Sequence, residues 1–216
     1  MLKLVHISDT HLREFNIEPG DILVHSGDAL NYGDMQDLIQ FRIQLEKIEE
    51  NYDLIIFVPG NHDRIFENNF DLAVNFLKET IPNIEVLHNR ALEYKGLKFY
   101  GTADQPKFCD WAFNKSSKDL DISYAKIPDD VEVLITHCPA KGIRDMVYGK
   151  SVGSFELATC LPNLKKLQAH LFGHIHYSAG LDKVNDIWYS NGSMVDERYV
   201  LVNKENIIEL EVKDVP

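Results

Sequence analysis

Five short polar clusters carry residue types suited to metal chemistry: Asp9-Thr10-His11, Gly27-Asp28, Gly60-Asn61-His62-Asp63, Thr136-His137 and Gly173-His174-Ile175-His176. Carboxylate and imidazole suit first-row divalent metals, and the scarcity of cysteine argues against a thiolate site. Spacing adds a constraint. Asp9 and His11 are two apart, as are His174 and His176, and such residues in extended backbone face the same side. Each pair can therefore point at one cluster of metal ions. Singly, the clusters mean little. An Asp after a strand is most often a turn or cap residue, and a lone His is usually a satisfied polar group.

The elements around the clusters make the case. Apolar runs of strand length cover 2–8, 21–25 and 54–58, and each ends where polar residues begin. Residues 34–49 place Met35, Leu38, Ile39, Ile43, Leu45 and Ile48 at the spacing of an amphipathic helix capped by Asp34. A second helix fits 70–79, stopped before Pro82, and a short third fits 154–161. Short strands are expected at 84–87, 91–94 and 97–100, with Lys95-Gly96 as a hairpin turn, and at 131–136, 169–172, 187–190, 199–202 and 207–212. The stretch 102–128 lacks periodicity and reads as a long loop. This order favours a layered α/β or α+β architecture. Ligand sites in open α/β sheets gather at the carboxyl ends of strands, so the five clusters can converge on one place.

Composition bounds the function. The 216 residues, 44% hydrophobic and 26% charged, suit a single soluble domain spanning 1–216. Cys109, Cys138 and Cys160 are too few for a disulfide framework, no run is long enough to span a bilayer, and the first residues show no secretory signal. A reducing, cytoplasmic setting is the expectation. The net charge of -12 argues against duplex nucleic acid or an anionic membrane as partner, yet leaves room for an anionic substrate in a locally positive pocket. His6, His25, His88 and His170 lie outside the clusters and receive no role. Gly149-Lys150-Ser151 looks like the end of a P-loop, but Arg144 stands where its first glycine is required.

Taken in order, the five blocks resemble the calcineurin-like metallophosphoesterase superfamily, with its DxH, GD, GNH[DE], lone His and GHxH. Residues 20–28, Trp111-Ala112-Phe113-Asn114 and Tyr189-Ser190-Asn191-Gly192-Ser193 are similar to its compact class III phosphodiesterase-like branch, which includes the metallophosphoesterase-domain proteins. The resemblance implies an α/β four-layer sandwich, two mixed β-sheets flanked by helices. It also implies a centre of two divalent ions drawn from Mn, Fe, Zn, Ni or Co. Asp9, His11, Asp28 and His176 would hold one ion; Asp28, Asn61, His137 and His174 the other. Asp28 would bridge, as a carboxylate can by offering one oxygen to each ion. The ions, two carboxylates and a bridging hydroxide leave roughly +1 for an anionic substrate. His62 would be the catalytic residue that touches the phosphate or protonates the leaving oxygen.

Two departures and one retention sharpen this. Where phosphoprotein phosphatases of the superfamily read GDxxDRG, Asn31 and Tyr32 replace the Asp and Arg, which disfavours that activity and leaves open what orients His62. His174, which some relatives lack, is retained and predicts an active enzyme. The expected function is a phosphodiesterase for a small, possibly cyclic, nucleotide or other diester, through in-line attack by the bridging hydroxide. Phosphomonoesterase or nuclease activity is the alternative, and a non-catalytic metal-binding scaffold is the alternative of another class. Asn61, His62, Arg64, Trp111 and Phe113 are candidate substrate contacts, with the two aromatics stacking a nucleobase or else plugging a sheet edge. Arg64 and Arg144 are the cationic donors near the blocks, too few to favour a monoester dianion.

Overall fold

The computed structural model describes residues 1–212. In chain order its strands are β1 (Leu2–Ile7), β2 (Ile22–His25), β3 (Leu54–Phe57), β4 (Ile84–Val86), β5 (Arg90–Tyr94), β6 (Leu97–Thr102), β7 (Gln105–Pro106), β8 (Asn114–Lys115), β9 (Val133–Thr136), β10 (Met146–Val147), β11 (Lys150–Ser151), β12 (Ala169–Phe172), β13 (Gly180–Val184), β14 (Ile187–Asn191) and β15 (Asn206–Leu210). Its α-helices are α1 (Met35–Glu46), α2 (Arg64–Asn68), α3 (Phe70–Lys78), α4 (Ser117–Tyr124) and α5 (Phe155–Cys160).

Alternation within the strands sets the layers, because successive side chains point to opposite faces. In β1, Val5 and Ile7 pack with Leu38 and Phe41 of α1 and Leu77 of α3, whereas Leu2 and Leu4 pack against the second sheet. β2 and β3 divide the same way, with Leu23, Ile55 and Phe57 toward the helices. On the second sheet Val133, Ile135 and Leu171 meet the first sheet, and Leu134 packs with Leu120 of α4 and Leu157 of α5. Strands covered on both faces must be apolar throughout, which is why these runs show no polar alternation. The outcome is helix, sheet, sheet, helix: the expected four-layer α/β sandwich.

The first sheet has the order β15-β1-β2-β3-β4, with β1 to β4 parallel and β15 antiparallel at the edge. The second runs β13-β14-β12-β9-β6-β5, parallel in its four central strands and antiparallel at both edges. Beyond the carboxyl ends of β1 and β14 the sheets are stitched together. Ser8 N–H donates to Gly192 O (2.7 Å) and Met194 N–H to Ser8 O (2.9 Å). His6 sits between them, with Nδ1 2.6 Å from Ser190 Oγ and Nε2 2.9 Å from Ser26 Oγ.

Local signals act as expected in α1 and α5. The Asp34 carboxylate accepts from the amides of Gln36 and Asp37, and the Ser154 hydroxyl from that of Leu157. Lys95 and Gly96, at φ 46° and 77°, turn the β5–β6 hairpin. Elsewhere the structure corrects the sequence. Residues 199–202 form no strand, because Tyr199 takes a left-handed φ of 59° and the chain turns on Asp196. The stretch 102–128 is not one long loop. It holds β7, β8 and α4, and α4 buries only Leu120, Ser123 and Tyr124, too sparse a stripe to show as periodicity. β13 is an exposed edge strand and so has no apolar run. Among the described residues, no helix is long and apolar enough to cross a membrane.

Three buried histidines tie this frame to pH. Burial, before any other influence, pushes His6, His25 and His170 down to about 3, so the folded chain keeps them neutral. The unfolded chain protonates them near the ordinary value of 6.5. Stability from this source is therefore complete above pH ~6.5 and is lost as pH falls toward ~3, by about 1.4 kcal/mol per pH unit for each histidine. Urea midpoints should fall over this range. His170→Gln, able to keep the bond to Thr136 Oγ1 (2.9 Å), should flatten the slope by about one proton. An unchanged slope would place the acid-sensitive group elsewhere.

Candidate metal centre

Where the parallel strands end, the chain turns abruptly. Asp9, His11, Asp28 and His174 all lie at left-handed φ (50°, 44°, 55° and 67°), which costs a non-glycine residue on the order of 1 kcal/mol or more. Hydrogen bonds hold them there. The Asp63 carboxylate accepts from the amides of Gly60 (2.6 Å), Asp28 (2.8 Å) and Leu30 (2.9 Å), tying the second block to the third. Asp9 accepts the His174 amide on both oxygens, tying the first to the last. Close approach also demands glycine. A Cβ on Gly173 would strike Ser8 Oγ and Asp9 Oδ2, and one on Gly60 would strike Asp28 Oδ1.

Four imidazoles are oriented by one device. Nδ1 of His11 faces Leu30 O (3.2 Å), that of His62 Asn31 O (2.6 Å), that of His137 Ser26 O (2.9 Å) and that of His176 Asp196 O (3.1 Å). A carbonyl only accepts, so each Nδ1 carries a proton, and the ring presents the lone pair of Nε2 once any second proton has left. His137 Nε2 is 3.1 Å from Asn61 Oδ1 and 3.3 Å from Asp28 Oδ2; His176 Nε2 is 3.3 Å from Asp9 Oδ1. His11 Nε2 is buried with no hydrogen-bond partner among the described residues. An orphaned buried acceptor beside carboxylates suits a cation.

Asp9, His11 and His176 offer ligand atoms all within 4.8 Å of one another, as do Asp28, His137 and His174, and His11, Asp28 and His62. The first grouping holds three members of one expected set without Asp28, the second holds Asp28, His137 and His174 of the other, and Asn61 Oδ1 lies 3.1 Å from His137 Nε2. His62 enters the third on distance alone. Asp28 departs from expectation in one respect. Its Oδ1 accepts the His62 amide (2.7 Å), so Oδ2 alone faces His137 (3.3 Å), His11 (3.9 Å) and His62 (4.0 Å). Any bridging would fall on that single oxygen, not on one oxygen per ion.

Charge follows the geometry. Burial would raise Asp28, but the neighbouring His137 charge holds it well below the ordinary carboxylate range. Burial would likewise lower His137, yet Asp28 pushes it up to about 9. Burial dominates for His11 and His174, which fall to about 4 and stay neutral. Burial, then the Asp28 charge, pushes Asp63 up to about 7, against the pull of its amide donors.

The remaining sequence candidates separate here. The Asn31 carbonyl, not its side chain, orients His62, and the carboxylate of Asp37 holds that loop by accepting from the amides of Asn31 (3.0 Å), Tyr32 (2.6 Å) and Gly33 (3.0 Å). Trp111 stacks on His62 (3.9 Å, 29°), with Arg64 over the indole and bonded to Asp110 O. Both support His62 and neither lines the cavity. Phe113 is 2% exposed and packs against His88 (5.1 Å), so it cannot touch substrate. The nucleobase-stacking expectation is overturned for Phe113.

Residues 2–178 match the family model for calcineurin-like phosphoesterases. The chain belongs to that family. It is 31% identical to human metallophosphoesterase domain-containing protein 1, over 96% of this chain and 71% of that one. A UPF0046 protein of Caenorhabditis elegans is 28% identical, over 91% and 76% respectively. Among solved structures it is similar in fold to TT1561 of Thermus thermophilus (TM-score 0.64, 12% identity, 88% of each chain). It is also similar in fold to phosphopantetheinyl hydrolase of Mycobacterium tuberculosis (TM-score 0.60, 14% identity, 91% and 90% covered).

As in a calcineurin-like phosphoesterase, the His and Asp groupings could hold divalent metal, and they open into a cavity of about 420 Å³. Its walls bring in residues that the motifs do not mark: Lys107, Phe108, Tyr148, Tyr177, Glu197 and Tyr199. Tyr148 and Gly149, at φ 46° and 79°, turn the β10–β11 hairpin, which brings Val147 and Tyr148 to the cavity wall and leaves Gly149-Lys150-Ser151 outside it. The only forewarning in the sequence is Gly at the hairpin turn.

In this calcineurin-like phosphoesterase, metal binding should displace the His137 proton. Affinity should then rise by about tenfold per pH unit up to about 9. Calorimetry in buffers of different ionisation enthalpy reads the proton release directly. Asp28→Ala should lower the metal-to-protein ratio, and an unchanged ratio would remove Asp28 from the ligands.

Proposed function

We propose that the chain is a dinuclear metal-dependent phosphodiesterase acting on a small phosphoester. Convergence of the His11, His137 and His176 Nε2 atoms with Asp9 and Asp28 carries this reading. Asp9, His11, Asp28 and His176 hold one divalent ion, and Asp28, Asn61, His137 and His174 the other. Bound ions of this kind lower the pKa of water and offset charge on phosphoryl oxygens. Manganese, iron, zinc, nickel and cobalt all accept this donor set.

The chain's own residues do the rest. His62 directs Nε2 into the cavity, with its Nδ1 proton committed to Asn31 O, so the imidazolium form hands its Nε2 proton to the leaving oxygen and is left as the neutral Nδ1–H ring. Trp111 fixes the plane of that ring. Phe108 and Tyr148 wall the cavity.

Substrate charge follows from what the cavity lacks. Lys107 is the only Lys or Arg among its described lining residues, and Glu197 opposes it. Arg64 is engaged with Trp111 and Asp110 O. Arg144 is engaged with the Ser178 and Ala179 carbonyls and with Asp182. A monoester dianion, best matched by bidentate Arg, is under-compensated here, whereas a diester monoanion is not. A small substrate also fits a net charge of -12 better than a duplex does.

With metal and pH fixed, kcat/KM should be higher for bis-nitrophenyl phosphate than for mono-nitrophenyl phosphate; a clear monoester preference would reverse the assignment. His62→Ala should keep both metals and lose about 10²–10⁴-fold in turnover. Loss of metal in that variant would make His62 a ligand. Metal binding without turnover of either ester would leave a scaffold.

A further inference from the structure

Residues 196–200 fold back over the candidate ligands and carry Tyr199 into the cavity. The left-handed φ of 59° is a conformation that aromatic L-residues adopt only when their surroundings enforce it. Here the enforcement is explicit. Tyr199 N–H donates to Asp196 O (2.9 Å), Arg198 and Val200 N–H donate to Asp196 Oδ1 (2.9 and 3.0 Å), and Arg13 Nε–H donates to Tyr199 O (2.8 Å). The same loop supplies the carbonyl that orients His176.

The ring stands edge-on to His11 (4.6 Å, 81°) and His176 (5.7 Å, 89°), and lies farther from His62 (6.3 Å). It is 38% exposed, and its hydroxyl has no hydrogen-bond partner among the described residues. An apolar side chain would pack there equally well. A free donor held over His11 and His176, in a cavity with no arginine among its described lining residues, matches an anionic oxygen.

We propose that Tyr199 is a further substrate-binding residue, its O–H donating to a phosphoryl oxygen of the ester held at this centre. Its ring lies nearest His11, with His176 and His62 at 5.7 and 6.3 Å. The assignment rests on the phosphoesterase reading for its ligand class. A neutral donor to a charged oxygen is lost without loss of bulk in Tyr199→Phe.

The test compares the metal-loaded full chain with its Tyr199→Phe variant. Three quantities are measured: metal content, calorimetric Kd for inorganic phosphate, and kcat/KM for bis-nitrophenyl phosphate. The variant should keep its metals, while phosphate Kd rises and kcat/KM falls, each by roughly 10- to 100-fold. An unchanged phosphate Kd would reduce Tyr199 to packing, and loss of metal would show that it acts through the ligands; either overturns the proposal. Failure of the wild-type chain to bind phosphate overturns it too. If the wild-type chain binds phosphate but hydrolyses no ester, the phosphoesterase reading fails, and the Kd ratio still decides Tyr199.

Discussion

Two carboxylates, Asp9 and Asp28, are buried side by side where the two sheets meet, 0% and 2% exposed. Unpaired, they would cost several kcal/mol each and repel one another. Every feature around them reads as compensation. Each accepts a backbone amide, from His174 and His62 respectively, and each has an imidazole Nε2 at 3.3 Å. Divalent cations would answer the same demand more completely than imidazolium protons do, because they would offset the carboxylate charge and also take the lone pairs of the neutral donors His11, His174 and Asn61. The anions thus define the site, and the parallel strands exist, functionally, to bring their loops to one edge.

Orientation then becomes a backbone problem. The carbonyls that fix the imidazoles belong to Ser26, Leu30, Asn31 and Asp196, so the rings report the positions of separate loops. Those loops are pinned from beneath by polar groups that touch no substrate. His25 is one: Gly27 N–H donates to its Nδ1 (3.2 Å), so Nε2 carries the proton and donates to Thr10 Oγ1 (2.9 Å). His170 is another: Thr136 Oγ1 donates to Cys138 O and accepts from Nε2. These histidines look bland in sequence because their chemistry is static, yet they hold the ends of β1, β2 and β9.

The same distinction explains what can be read from the sequence. Side-chain identity at strand ends is legible, so Asp9, His11, Asp28, Asn61, His137, His174 and His176 stand out there, and the layers follow from double-sided apolar runs. Whatever depends on main-chain atoms is not. No residue type encodes the Asn31 carbonyl as the partner of His62, nor the His62 amide that removes Asp28 Oδ1 from use. Residues 199–202, Tyr-Val-Leu-Val, carry strand propensity, but hydrogen bonds to Asp196 override it. Phe113 misleads for a related reason. An aromatic two positions from Trp111 looks like its companion, yet a left-handed φ of 60° turns the chain and sends Phe113 into the core.

Backbone strain is unevenly distributed. Left-handed non-glycine residues occur at ordinary turns such as Asn185-Asp186, but Asp9, His11, Asp28, His174 and Tyr199 gather around one cavity. Retaining the strain requires many local hydrogen bonds, and Asp63, Asp37 and Asp196 provide them, each carboxylate accepting at least two amides. An acidic composition therefore serves two separate ends in this chain. Some carboxylates face the cation site, while others, set behind them, keep the backbone bent so that the first group can.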